Sequence, residues 1–135
     1  MHHDETNGPV ATFRLYTQAF HALDAGAVAH HFHEPALLIT PDDTVALPTV
    51  GAVQQTYARL MADLPARGYA RTEFSALIER RLSEDLALVS GGGVWKNASD
   101  EDLMRFGMTY TLRRTGQTWR IVVAAIHAPD DSPRG

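Results

Sequence analysis

Residues 103–114 read Leu103-Met104-Arg105-Phe106-Gly107-Met108-Thr109-Tyr110-Thr111-Leu112-Arg113-Arg114 and alternate from end to end. Met104, Phe106, Met108, Tyr110 and Leu112 share one side; Arg105, Gly107, Thr109, Thr111 and Arg113 share the other. A period of two is the signature of a strand with one apolar face. The same period extends on both sides. Tyr69–Leu82, Leu86–Asn97 and Thr118–Ala128 read as further long strands, separated by Ser83-Glu84-Asp85, Ala98–Asp102 and Thr115-Gly116-Gln117. Turns this short force antiparallel neighbours, so the second half predicts a four-stranded meander.

The first half has a helical period. Phe13, Tyr16, Phe20 and Leu23 fall at steps of three and four, and Pro9 suits a first helical position, which predicts a helix over 9–23. Asp24-Ala25-Gly26 breaks it, and a short helix over 27–32 follows until Pro35 stops it. Ala36–Thr40 and Thr44–Leu47 read as a strand pair across Pro41-Asp42-Asp43. Thr49 is the candidate N-cap of a third helix, whose stripe is Val53, Tyr57, Leu60, Met61 and Leu64. Residues 1–8 and 130–135 are expected to be flexible tails around a single domain spanning 9–129.

The last strand is apolar on both sides. Continued alternation puts Trp119, Ile121, Val123, Ala125 and His127 on one face and Val122, Ala124 and Ile126 on the other. Helices can cover only one of these faces, so the other is expected to meet a second copy, giving a homodimer through the convex sheet face. The alternative is a strand covered by its own loops.

Composition limits the chemistry. The 135 residues are 44% hydrophobic and contain no cysteine, which excludes thiolate nucleophiles, disulfides and cysteine metal sites. With 12 Lys and Arg against 16 Asp and Glu, no broad basic face for nucleic acid is expected. The longest apolar run, Ile121–Ile126, is far below the roughly 20 residues a spanning helix needs. A cytoplasmic location is the default expectation, without membrane or nucleic-acid partners.

The order of elements resembles the nuclear transport factor two-like superfamily, also called SnoaL-like. The segments that carry the likeness are Phe20-His21-Ala22-Leu23-Asp24-Ala25-Gly26, Phe32-His33-Glu34-Pro35-Ala36, Gly51-Ala52-Val53 and Gly116-Gln117-Thr118-Trp119-Arg120-Ile121. The resemblance implies an α+β fold in the order α-α-β-β-α-β-β-β-β. Its sheet is strongly curved, mixed and mostly antiparallel, with three helices on the concave face around a cone-shaped pocket. That fold hosts enzymes, binding modules and assembly domains alike, so it does not name a function. Placed on the similar ketosteroid isomerases, the sequence has Ala19 at the oxyanion-hole tyrosine and Thr40 at the aspartate base. Threonine takes no proton from carbon at neutral pH, so that mechanism is not expected. No inward acid pair of the epoxide-hydrolase kind stands out either, because Asp85, Asp100 and Asp102 fall in turns.

Several side chains remain as candidates. His127, by the alternation, shares a face with Trp119, Ile121 and Val123, and it resembles the proton-transfer histidine of the superfamily's dehydratases. It is the one catalytic candidate, and the alternative is a strand-end imidazole bonded to a backbone carbonyl. Tyr16, Tyr57 and Tyr110 fall on inward faces and suit pocket walls that orient a ligand. Phe20, Met61, Trp95 and Met108 would make such a pocket apolar, or would simply be core, as for Phe13.

Other features read as structural. His30-His31-Phe32-His33-Glu34 has metal-ligand residue types but poor spacing, since adjacent helical positions diverge by about 100°. Gly91-Gly92-Gly93 precedes strand residues rather than a helix, so it reads as a bulge or bend, not a phosphate loop. Arg80-Arg81 and Arg113-Arg114 read as solvated edge charges.

No metal and no cofactor is expected. Two functions from different classes follow. The first is binding of a small apolar molecule in the cone pocket, with lyase or isomerase chemistry of the dehydratase or cyclase kind if it is catalytic. The second is a non-catalytic dimerisation or partner-binding module whose cavity is filled.

Overall fold

In the computed structural model the described residues are 8–129. The expected tails therefore lie outside them, except for Gly8, which is the N-cap of α1 (Pro9–His21). Phe13, Tyr16 and Ala19 form the buried stripe of α1. Its end is abrupt because Leu23 takes a left-handed φ of 56°. Asp24 then caps α2 (Ala25–His30) by accepting the Ala27 N–H at 3.0 Å. The predicted break is thus also the start of the next helix.

The helices end or begin up to two residues from their expected bounds, α1 at His21 rather than Leu23 and α2 over Ala25–His30 rather than 27–32, and the largest difference is in the first strand. Strand β1 (Phe32–Ile39) starts four residues before Ala36, and Phe32, expected to be helical, is its first residue. The Ile121 N–H reaches across to the His31 carbonyl at 2.9 Å, which draws the chain into the sheet there. Pro35 sits inside the strand rather than ending a helix. It is accommodated because the β1 register breaks between Phe32 and Leu37, where no ladder N–H is required. Strand β2 (Thr44–Leu47) follows, and then α3 (Val50–Ala62), whose N-cap Thr49 accepts the Ala52 N–H at 3.1 Å.

The second half is the expected meander of β3 (Tyr69–Ser83), β4 (Leu86–Asn97), β5 (Asp102–Thr115) and β6 (Thr118–His127). Six strands form one sheet in the order β2-β1-β6-β5-β4-β3, antiparallel except for the β1–β6 pair. All three helices lie on the concave side, α1 against β3, β4 and β6, and α3 against β1 and β2.

Of the register breaks in this sheet, two bear on the site. In β3, Ala76 and Leu77 stand opposite the single residue Gly91, and Ala76 has a φ of 55°. A Cβ on Gly91 would lie 2.8 Å from the Ser75 carbonyl oxygen, so the glycine is what lets the bulged strand come close. The irregularity expected of the glycine run therefore falls on its neighbour strand.

The second bulge is at Val122. Thr111 pairs with Val123 and Leu112 with Ile121, which leaves Val122 as an extra residue in β6. One extra residue exchanges the faces of everything after it. Trp119 and Ile121 face the core, and beyond the bulge Ala124 does so, while Val123, Ala125 and His127 turn to the convex side. Strict alternation had placed these three on the face of Trp119.

Candidate functional site

A cavity of about 150 Å³ remains between α1, α3 and the concave sheet. From α1 come Tyr16, Thr17 and Phe20, and from α3 come Tyr57 and Leu60. Leu38, Thr40 and Pro41 close one side at the end of β1. The sheet supplies Thr72 and Phe74 from β3, Trp95 from β4, Met104, Phe106 and Tyr110 from β5, and Ile126 from β6. No Asp, Glu, Lys, Arg or His belongs to this lining among the described residues.

Aromatic packing fixes the walls. Phe20 stacks on Trp95 with centroids 6.3 Å apart, and Phe106 meets Trp95 edge-on at 6.1 Å. Phe106 reaches this position because its partner on β4 is Gly93: a Cβ there would come within 2.5 Å of its ring. The Arg67 guanidinium lies 5.5 Å from the Trp95 ring centroid, a cation–π contact on that indole.

The polar content is a cluster of phenols. The Tyr16 hydroxyl is 2.8 Å from that of Tyr110 and 3.1 Å from that of Tyr57, and all three side chains are buried. Burial pushes each hydroxyl above the ordinary phenol range, and for Tyr16 the neighbouring Tyr110 and Tyr57 add to the effect. These groups are therefore neutral donors and acceptors at physiological pH, not bases. At the edge of the cluster the Tyr69 and Thr72 hydroxyls pair at 2.7 Å.

Five of the residues expected at the pocket line it: Tyr16, Phe20, Tyr57, Trp95 and Tyr110. Met61 and Met108 do not; both are buried in the core outside the lining. Periodicity placed them on the correct face but says nothing of depth. The other ten lining residues were not read as pocket residues, among them Met104, Phe106 and Ile126. The first two share the inward face of Met108 and Tyr110, so their signal was present; Ile126 was concealed by the bulge. Ala19 and Thr40, the positions set against the isomerase pattern, are a buried helix residue and a cavity-edge residue respectively.

His127 is not in the cavity. It is exposed and lies on the convex face, beside a separate hollow of about 680 Å³ that also contains Ser75, Ser90, Gly92 and Thr109. Its Nδ1 is 2.9 Å from the Ala128 carbonyl oxygen, a contact that requires Nδ1–H to donate. Nε2 then accepts from the Thr109 hydroxyl at 3.2 Å. The ring lies across Gly107, where a Cβ would be 2.5 Å from Cε1. This is the carbonyl-bonded strand-end histidine, and the cavity contains no imidazole.

The histidine-rich segment is likewise occupied structurally. The Glu34 carboxylate accepts the Val50 N–H at 2.6 Å at the start of α3, and His33 Nδ1 meets the Pro35 carbonyl at 2.9 Å. Burial, with His30 and Arg120 nearby, lowers the His31 pKa below its ordinary value. Among the described residues, no three His, Cys, Asp or Glu side chains gather as metal ligands, and no helix is long and apolar enough to cross a membrane.

The fold recurs in solved structures. A domain of unknown function with a cystatin-like fold from Nostoc punctiforme superposes with a TM-score of 0.76 at 17% identity, covering 94% of this chain and 80% of that one. An NTF2-like protein with a cystatin-like fold from Novosphingobium aromaticivorans gives 0.74 at 19% identity, covering 91% and 80%. An NTF-2-like protein of unknown function from Shewanella oneidensis gives 0.68 at 17%, covering 87% and 93%. At these identities the likeness is one of fold. No curated protein matches the chain. The profile of one family, described as NTF2-like protein (DUF6841), matches residues 9–129, and the chain belongs to that NTF2-like family.

Proposed function

We propose that this protein binds a small, uncharged, largely apolar molecule in the cavity between α1, α3 and the sheet. The observation that carries this reading is an aromatic-walled space of about 150 Å³ with no ionisable side chain other than its phenols. A cavity of that size lined by apolar groups is large enough for a molecule such as benzene. The rival module with a filled interior predicts no such space. Lyase or isomerase chemistry that begins by taking a proton from carbon needs a group that accepts one near pH 7, and the lining has none among the described residues. The reading is therefore binding without turnover. Benzene is the simplest probe. Its addition is expected to raise the melting temperature of the protein by mass action, and Ile126→Trp, which puts a much larger side chain into the space, to diminish the rise. An unchanged melting temperature near benzene saturation would remove the proposal.

A second copy is proposed as partner on the opposite face. Leu37, Ile39, Val123 and Ala125 lie side by side on the convex side of β1 and β6, with all three helices packed on the other side. This half-buried apolar strip supports pairing of two sheets.

A further inference from the structure

The sheet sets two cations directly opposite each other at two places. Arg71 on β3 stands across from Lys96 on β4, and Arg113 on β5 stands across from Arg120 on β6. Like charges in directly opposed cross-strand positions are destabilising unless something neutralises them. The first pair has its anions within the chain. Arg71 is bridged by Glu73 at 2.9 Å and by Asp100, and Lys96 by Asp102 at 2.8 Å. The second pair differs. Among the described residues, no carboxylate forms an ion pair with Arg113 or Arg120. Their flanks supply none either. Leu86 is the β4 partner of Arg113. Beyond Arg120 comes the start of β1, where His31, held below its ordinary pKa by burial, His30 and Arg120, adds no negative charge. Asp85 is engaged by Arg114 at 3.1 Å, and Arg114 lies over the Trp119 ring on the core side.

Alternation decides the faces. Leu112, Trp119 and Ile121 are buried in the core, so Arg113 and Arg120 both point to the convex side. Neighbouring strands lie about 5 Å apart, so two guanidinium forks on them can converge on one anion. Two cations are neutralised by one dianion, whereas a single carboxylate cancels only one of them. Guanidinium forks also match the oxygen geometry of phosphate.

We propose that Arg113 and Arg120 form a convex-face site for a dianionic phosphate group, free or at the end of a monoester. The phosphate takes the place that Glu73, Asp100 and Asp102 fill at the Arg71–Lys96 pair. The site lies toward the β5–β6 turn and depends on neither the cavity reading nor the pairing of two copies.

Melting temperatures test it, measured at pH 8 and constant ionic strength in inorganic phosphate, phenyl phosphate or acetate. The proteins are wild type, Arg113→Gln, Arg120→Gln and a control, Arg59→Gln, at an exposed position of α3. Wild type and the control are expected to gain about 3–5 °C at ten times the dissociation constant of either phosphate, and nothing in acetate. Without phosphate, Arg113→Gln and Arg120→Gln are expected to melt at or above wild type, because one of two repelling charges is gone. With phosphate they are expected to melt below it. Tighter binding of phenyl phosphate than of inorganic phosphate assigns a monoester as the ligand; equal or weaker binding assigns the free ion. The proposal is overturned by a wild-type melting temperature that phosphate leaves unchanged, by an equal rise in acetate, or by a rise that both variants keep. It is also overturned if the two variants melt below wild type without phosphate, the mark of guanidiniums already paired within the chain.

Discussion

Gly93 lies beneath the ring of Phe106, so close that a Cβ would come within 2.5 Å of the Phe106 Cζ. The glycine on β4 thus sets the position of a cavity-wall residue on β5. Gly93→Ala is expected to push the Phe106 ring toward the cavity and to cost about 1–3 kcal/mol, the usual range for overpacking. Urea denaturation measures the cost. The double variant Gly93→Ala, Phe106→Leu, which removes the obstructing ring edge, is expected to recover part of it.

The centre of the phenol chain should matter more than its ends. Tyr16→Phe strands the hydroxyls of both Tyr57 and Tyr110, whereas Tyr57→Phe leaves the 2.8 Å Tyr16–Tyr110 bond intact. A loss of about 2–3 kcal/mol is expected for Tyr16→Phe against about 1 kcal/mol for Tyr57→Phe. Equal losses in denaturant titrations would contradict a linear chain centred on Tyr16.

Alkaline pH should unfold the protein steeply. Tyr16, Tyr57 and Tyr110 all have folded pKa values above that of a free phenol. Above about pH 10 the unfolded chain has released these three protons while the folded one still holds them. Stability is therefore fully present below pH 10 and is lost as pH rises toward the folded values, by about 4 kcal/mol per pH unit for three groups. Tyrosinate absorbance and far-UV circular dichroism are expected to change together. Ionisation of all four tyrosines ahead of unfolding would contradict the buried cluster.

The convex strip should carry self-association. Val123→Glu places a charge among Leu37, Ala125 and Thr111 on that face, without touching the cavity on the other side. Light scattering is expected to give a dimer for wild type and a monomer for the variant, whose stability should otherwise change little. A wild-type monomer at tens of micromolar would exclude the pairing.

The sequence revealed most about regular elements. The alternation of Met104–Leu112 placed Tyr110 inward, and the helical stripes placed Tyr16 and Tyr57, because none of these segments is interrupted. Their convergence on one hydroxyl cluster follows from the sheet's curvature, which no local period encodes. His127 was misplaced by one residue of bulge: Val122 looks like any other strand residue, yet it turns the strand end over. Phe32 was misassigned because a short apolar segment before a proline fits a helix end and a strand start equally well. Met61 and Met108 show a different limit, since a face can be read from spacing but not whether its residue meets packed core or open space.

Methyl-resolved NMR of the protein titrated with benzene tests the cavity most directly. Saturable shifts are predicted at the Met104, Leu38 and Ile126 methyl groups, which line the space, with Leu88 and Val123 on the convex side unchanged. Shifts confined to the convex methyls, or no saturable shift at all, would contradict the account.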